Sequence, residues 1–209
     1  GDVGDPYFSA MIKGVHVAAA EMHSLVTIIA TGRDVALELD SFRLLQSHSA
    51  SAIVVAGSGI DDDGYRSGLS ARIRAFPGRV VLVGRHEVEP DVEAVKIEHD
   101  NVGGGRLVGQ HLRELGHERV ALLTGVRGLS STEDRIRGVT EGLSIEPLRL
   151  EVSPTTDGGY SGMRQVHHEH PEVTAVVGTA DQMAIGALDF CRDHDVRVPE
   201  DLSLVGFND

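Results

Sequence analysis

The stretch AVVGTADQMAIGALDFCRDHDVRVPEDLSLVGFND, residues 175–209, reads as strand, helix and strand in turn. Ala175–Gly178 is a short, continuously apolar run. Gln182–Asp193 has the length and composition of a helix. Leu202–Gly206 is apolar and short again. Two short apolar strands joined through a helix form a βαβ unit, whose strands must run parallel. The polar pair Asn208-Asp209 then falls just beyond the carboxyl end of a strand, where open α/β sheets place their ligand sites.

The same alternation runs back to the start of the chain. A helix is expected over Pro6–Met22, with proline in its first turn. Strands are expected at Leu25–Ala30, Ala52–Gly57, Val80–Gly84 and, briefly, Val95–Ile97. Helices are expected over Asp34–His48 and Asp61–Phe76, the latter opened by acids. A further helix from Asn101 ends at Gly116. Then come strand Val120–Gly125, helix Thr132–Gly142, strand Leu148–Val152 and helix Gly159–His170. Apolar strands alternating with helices imply parallel sheets covered on both faces. The fold class expected is α/β, with two doubly wound parallel-sheet subdomains. The division is placed near Asp100, giving subdomains 1–100 and 101–209.

Composition bounds the function. The 209 residues carry a net charge of −13, and Lys13 and Lys96 are the only lysines. The arginines are scattered, so no basic face for phosphate backbone is visible. No apolar run approaches a membrane span. The single cysteine, Cys191, sits within a helix pattern and reads as a small core residue. No P-loop and no G-x-S-x-G elbow occur. GGGRLVG, residues 103–109, lacks the third glycine of a dinucleotide fingerprint and reads as a closely packed helix start. Two of the histidines in HHEH, residues 167–170, stand at i,i+3; they read as a metal pair or, more simply, as a solvated helix end. No nucleophile and base are paired. The pattern argues for binding rather than catalysis, with no catalytic residue, metal or cofactor expected.

The residues after each strand supply the candidate ligand set. They include Gly57-Ser58-Gly59, Gly84-Arg85-His86, Gly125-Val126-Arg127, Thr179-Ala180-Asp181 and Asn208-Asp209, with Tyr7 and Phe8 as early aromatics. Aromatic platforms, guanidinium donors and carboxylate or amide acceptors suit a small polyhydroxylated or heterocyclic ligand. Each residue also has a plainer reading. Tyr7 and Phe8 could plug a core, and Arg85 could be a surface arginine. Arg135 could pair with Ser131 or a nearby acid. Asp181 could be only a helix N-cap.

Several stretches resemble the lactose-repressor (LacI/GalR) transcription regulators in their effector-binding region. DVGDPYFSAMIKGVHVAA looks like the family's first strand end and helix. DNVGGGRLVGQHLRELGHERVALLTG is close to its Asp-Asn…Leu-Gly-His segment. STEDRIRGVTEGL matches its Arg-x-x-Gly helix, and ADQMAIGALDFCRDHDVRVPEDLSLVGFND matches its closing signature. The resemblance implies a periplasmic-binding-protein-like fold whose two subdomains close on a small effector, most often a sugar. By family position, Tyr7 and Phe8 would pack against the ligand. Arg85, Ser131, Arg135, Asp181 and Asn208 would hydrogen-bond it, and Ser58 stands in the same set. Ala180, Gly84 and Asn208 depart from the family's usual Asn, Asp and Asp, so acceptors are altered there.

The resemblance further implies a cytoplasmic homodimeric regulator, of the repressor class, that meets operator DNA through a helix-turn-helix absent from these residues. It also implies a fold incomplete at both ends, with the first strand mostly missing and the return crossover missing. A sugar-binding protein serving an ABC transporter is the alternative on the same fold.

Overall fold

The computed structural model describes residues 4, 6–57 and 59–207. The chain divides into two compact units, Gly1–His99 and Asp100–Asp209. The first contains α1 (Pro6–Glu21), α2 (Val35–Ser47), β1 (Ala52–Ala56), α3 (Asp63–Ala75), β2 (Arg79–Val83) and β3 (Val95–Ile97). The strands pair in parallel in the order β1-β2-β3. Aspartates start two of the helices by taking orphan amides of the first turn. Asp34 accepts from Leu37 N at 3.0 Å and Asp62 from Tyr65 N at 2.8 Å.

This unit's core lies on one side of its sheet. Ile53, Val55, Val80 and Leu82 pack against Phe42 of α2 and Tyr65, Leu69 and Ile73 of α3. The alternate residues of β1, Ala52 and Val54, are exposed, as is all of β3. Helix α1 buries none of its residues.

The expected strand at Leu25–Ala30 is not formed. These residues join no sheet among the described residues, Leu25 is fully exposed and Ile28 is 53% exposed. A β-rich sequence supplies propensity, but a strand exists only where a neighbour takes its backbone N–H and C=O groups.

The second unit contains α4 (Asn101–Glu114), β4 (Val120–Thr124), α5 (Ser130–Leu143), β5 (Leu148–Glu151), α6 (Thr156–Glu169), β6 (Ala175–Gly178), α7 (Asp181–Asp193) and β7 (Ser203–Val205). Its parallel sheet has the order β5-β4-β6-β7. The period of two sorts the side chains onto two faces. Ala121, Leu123 and Val176 meet Met163 and Val166 of α6 and Met183, Phe190 and Cys191 of α7. Val120, Leu122, Ala175 and Val177 meet Leu112 of α4 and Ile136, Val139 and Leu143 of α5. Helix α6 begins three residues before the expected Gly159, because the Thr155 side chain caps it by accepting from Gly158 N at 3.1 Å.

Helices α4 and α5 cross backbone to backbone. A Cβ on Gly105 would lie 2.5 Å from Arg135 O, and one on Gly138 only 2.1 Å from Val102 O. Gly109 and Gly142 repeat this one turn on. Glycine is required there because any side chain would force the helices apart. The crossing brings the start of α4 beside the second turn of α5, which sets up the site.

The chain leaves β4 outward to β5, then returns past it to β6. The order therefore reverses between β4 and β6, the point at which open parallel sheets have their crevice at the carboxyl ends of the strands. No helix among the described residues is long and apolar enough to cross a membrane.

Candidate functional site

In the second unit, Arg135 is the centre of a polar cluster at that crevice. Its Nε donates to Asn101 Oδ1 at 2.9 Å, and its Nη1 donates to the Thr179 carbonyl at 2.6 Å. Its Cζ stands 4.1 Å from the centroid of the Phe207 ring. Two hydrogen bonds and a ring face fix the plane of the guanidinium, whose fork suits hydroxyl or carboxylate acceptors. Asn101 is buried, at the start of α4. Thr179 directly follows β6.

Asp181 closes the cluster. Its Oδ1 accepts from Phe207 N at 2.7 Å, tying the start of α7 to the exit of β7. The plainer reading of Asp181 as an N-cap does not hold: Ala180 occupies that position, without a side-chain cap bond, and Asp181 is the first helical residue. Gly104 and Gly206 leave room for this arrangement. A Cβ on Gly104 would lie 2.9 Å from the tip of the Phe207 ring, and one on Gly206 would lie 2.3 Å from Asp181 Oδ1. Ser131 is half-buried on the first turn of α5, between the buried Ser130 and Thr132.

In the first unit, Arg85 follows β2. Its Nη2 donates to Asp61 Oδ2 at 3.0 Å and its Nη1 to Glu87 Oε1 at 3.2 Å. The side chain is 26% exposed, so these pairs orient it more than they stabilise the fold. Tyr7 and Phe8 are half-buried at the start of α1, edge to face with ring centroids 5.1 Å apart. Tyr7 Oη and His99 Nε2 are hydrogen-bonded at 2.7 Å. Ser58 and Asn208, both expected at the site, lie outside the described residues.

The structure thus joins Arg135 and Asp181 into one framework and pairs Tyr7 with Phe8. Of the residues that build the framework, Thr179 was among the strand-tip residues expected at the site, whereas Asn101 and Phe207 were missed. Asn101 is the second residue of the Asp-Asn motif, so it carried a signal. Phe207 carried only its place beside Asn208. Glu38 and Tyr65, also missed, meet His86, one of the strand-tip residues expected at the site, inside the first unit. Tyr65 Oη donates to Glu38 Oε1 at 2.7 Å and lies 3.0 Å from His86 Nδ1. Burial, then the Glu38 carboxylate, pushes the Tyr65 phenol well above its usual range. His167 lies edge-on to His168 and near Phe190, and no metal-holding group of three His, Cys, Asp or Glu exists among the described residues.

Comparison with known proteins identifies the family. The model of a family described as periplasmic binding proteins and sugar binding domain of LacI family matches residues 2–209. The HTH-type transcriptional regulator GalR of Escherichia coli (strain K12) is 30% identical over 215 residues, covering 100% of this chain and 61% of that protein. The chain therefore spans about three-fifths of the length of the curated relatives it matches. A dimeric Lac repressor superimposes with a TM-score of 0.85 at 23% identity, over 100% of this chain and 76% of that one. A LacI family transcriptional regulator from Enterococcus faecium, solved with bound ribose, gives 0.82 at 19% identity, over 98% and 74%. The low identities make these two a likeness of fold, while the family match over nearly every residue makes the chain a member of the periplasmic binding protein and LacI sugar-binding-domain family.

Proposed function

We propose that this chain is the effector-sensing part of a DNA-binding transcriptional regulator, taking a small sugar-class ligand at the carboxyl ends of its strands. Arg135 carries the reading. Asn101, Thr179 and Phe207 hold its guanidinium flat in the crevice where the strand order reverses. A pre-oriented guanidinium, linked through Phe207 to the Asp181 carboxylate, offers donors and acceptors in fixed positions, which is how hydroxyl-rich ligands are selected. Tyr7, Phe8, Ser58, Arg85, Ser131, Asp181 and Asn208 are the other proposed contacts. The homologous GalR is an HTH-type transcriptional regulator, which supports a binding role.

DNA contact is assigned to a helix-turn-helix outside these 209 residues, because a net charge of −13 repels a phosphate backbone. The regulator acts as a homodimer in the cytoplasm. Its effector shifts the population of the DNA-competent form; complete switching needs about 5.5 kcal/mol of differential affinity between the two forms.

The test is a melting-temperature screen of this chain against D-galactose, D-ribose, other sugars and nucleosides. A sugar at 100 times its dissociation constant should add about 2.7 kcal/mol, a shift of a few degrees. Arg135→Ala should abolish that shift and leave the far-ultraviolet circular dichroism unchanged. A folded chain that no sugar stabilises, or an Arg135→Ala variant with unchanged affinity, overturns the assignment.

A further inference from the structure

Glu38 on α2, Tyr65 on α3 and His86 beyond β2 come from three elements and belong to none of the ligand contacts above. Tyr65 Oη donates its proton to Glu38, so toward His86 the same oxygen accepts. Nδ1 of His86 therefore carries a hydrogen. Nε2 is left as a bare lone pair, buried and without a hydrogen-bond partner among the described residues. His86 as a whole is 2% exposed. Buried polar atoms are nearly always partnered, so this one calls for an explanation.

The ring sits where the ends of β1, β2 and β3 are laced together. Gly57 N donates to Val83 O at 3.0 Å, Gly59 N to Arg85 O at 3.1 Å, and Gly84 N to Ile97 O at 2.9 Å. A Cβ on Gly59 would lie 2.6 Å from Arg85 O and 3.3 Å from His86 Nδ1. His86 is thus packed directly against the turn residue Gly59 and is covalently next to Arg85.

The groups that act on the ring are Tyr65, the carboxylates of Glu38 and Glu98, and the backbone of Val83 and Gly57. Burial opposes a charged ring and outweighs the carboxylates, so the imidazole lies below its ordinary pKa. A proton on Nε2 would turn a lone pair with no donor into a donor among backbone carbonyls. One of these, Val83 O, already accepts from Gly57 N. A carbonyl oxygen has two lone pairs, so the new donor would share Val83 O with Gly57 N and draw on the bond that fixes Gly57.

We propose that Glu38, Tyr65 and His86 are positioning residues that hold Gly57, Gly59 and Arg85 in one arrangement, and that protonating His86 Nε2 moves these residues to a second. Any effect on effector affinity rests on the sensor reading of Arg85; the coupling itself does not, and is testable without a ligand.

The experiment is a nuclear magnetic resonance titration of this chain, following the His86 ring and the backbone amides together. The His86 midpoint should fall below the ordinary value of about 6.5. The amides of Gly57, Gly59 and Arg85 should move with that same midpoint, and Tyr65→Phe should displace ring and amide midpoints together. A ring titrating at its ordinary value, or amides that ignore it, overturns the proposal.

Denaturant unfolding at several pH values supplies a second reading. The folded pKa is lowered, so between 6.5 and that lower value the unfolded chain binds more protons. Stability therefore falls as pH falls through the window, and this contribution levels off below it. His86→Gln should lack that part of the slope; identical slopes for variant and parent also overturn the proposal.

Discussion

Strands β1 and β4 are both five-residue apolar runs, AIVVA and VALLT, yet they live in different surroundings. In β1 burial alternates, with Ile53 and Val55 inside and Val54 40% exposed. In β4 every residue is buried. The second unit has a helix pair on each face of its sheet, whereas the core of the first lies on one face. An apolar run therefore reports a strand and leaves open how many of its faces are covered. The difference sets where each unit is sensitive to substitution.

The largest expected effect is in the two-faced unit. Phe190 is fully buried among Met163, Met183 and Cys191. Phe190→Ala should destabilise it by about 3–5 kcal/mol, read from urea unfolding; a loss below about 1 kcal/mol would mean the cavity collapses and the packing is loose. Next comes the helix crossing. Gly138→Ala places a methyl 2.1 Å from Val102 O and should cost about 1–3 kcal/mol, since backbone must move to admit it. An unchanged unfolding midpoint would show that α4 and α5 separate easily. The smallest effect belongs to the open face of the first unit. Val54→Thr keeps the β-branched shape and should stay within about 0.5 kcal/mol of the parent. A core-sized loss there would show that Val54 is covered in solution, and would erase the contrast between the units.

The alternation of strand and helix was legible because each element carries its own pattern. Leu25–Ala30 misled because its residues favour a strand, while the pairing that makes one is non-local. The Arg135 site was half legible. Arg135 and Asp181 stand at motif positions, but the partners of Arg135 lie 34 and 44 residues away at Asn101 and Thr179. The meeting of Glu38, Tyr65 and His86 was illegible for the same reason: each stands on a separate element, and only folding makes them neighbours. Gly105 and Gly109, like Gly138 and Gly142, show a small helix face in the sequence. Nothing in that spacing says the two faces meet.

That meeting of glycine faces has a mechanical consequence. With carbonyls seated against bare α-carbons at successive turns, α4 cannot slide along α5 by a fraction of a turn without atoms colliding. The pair behaves as an interlock rather than a bearing. Asn101 and Arg135, one on each helix, are thereby held in a fixed register with respect to each other.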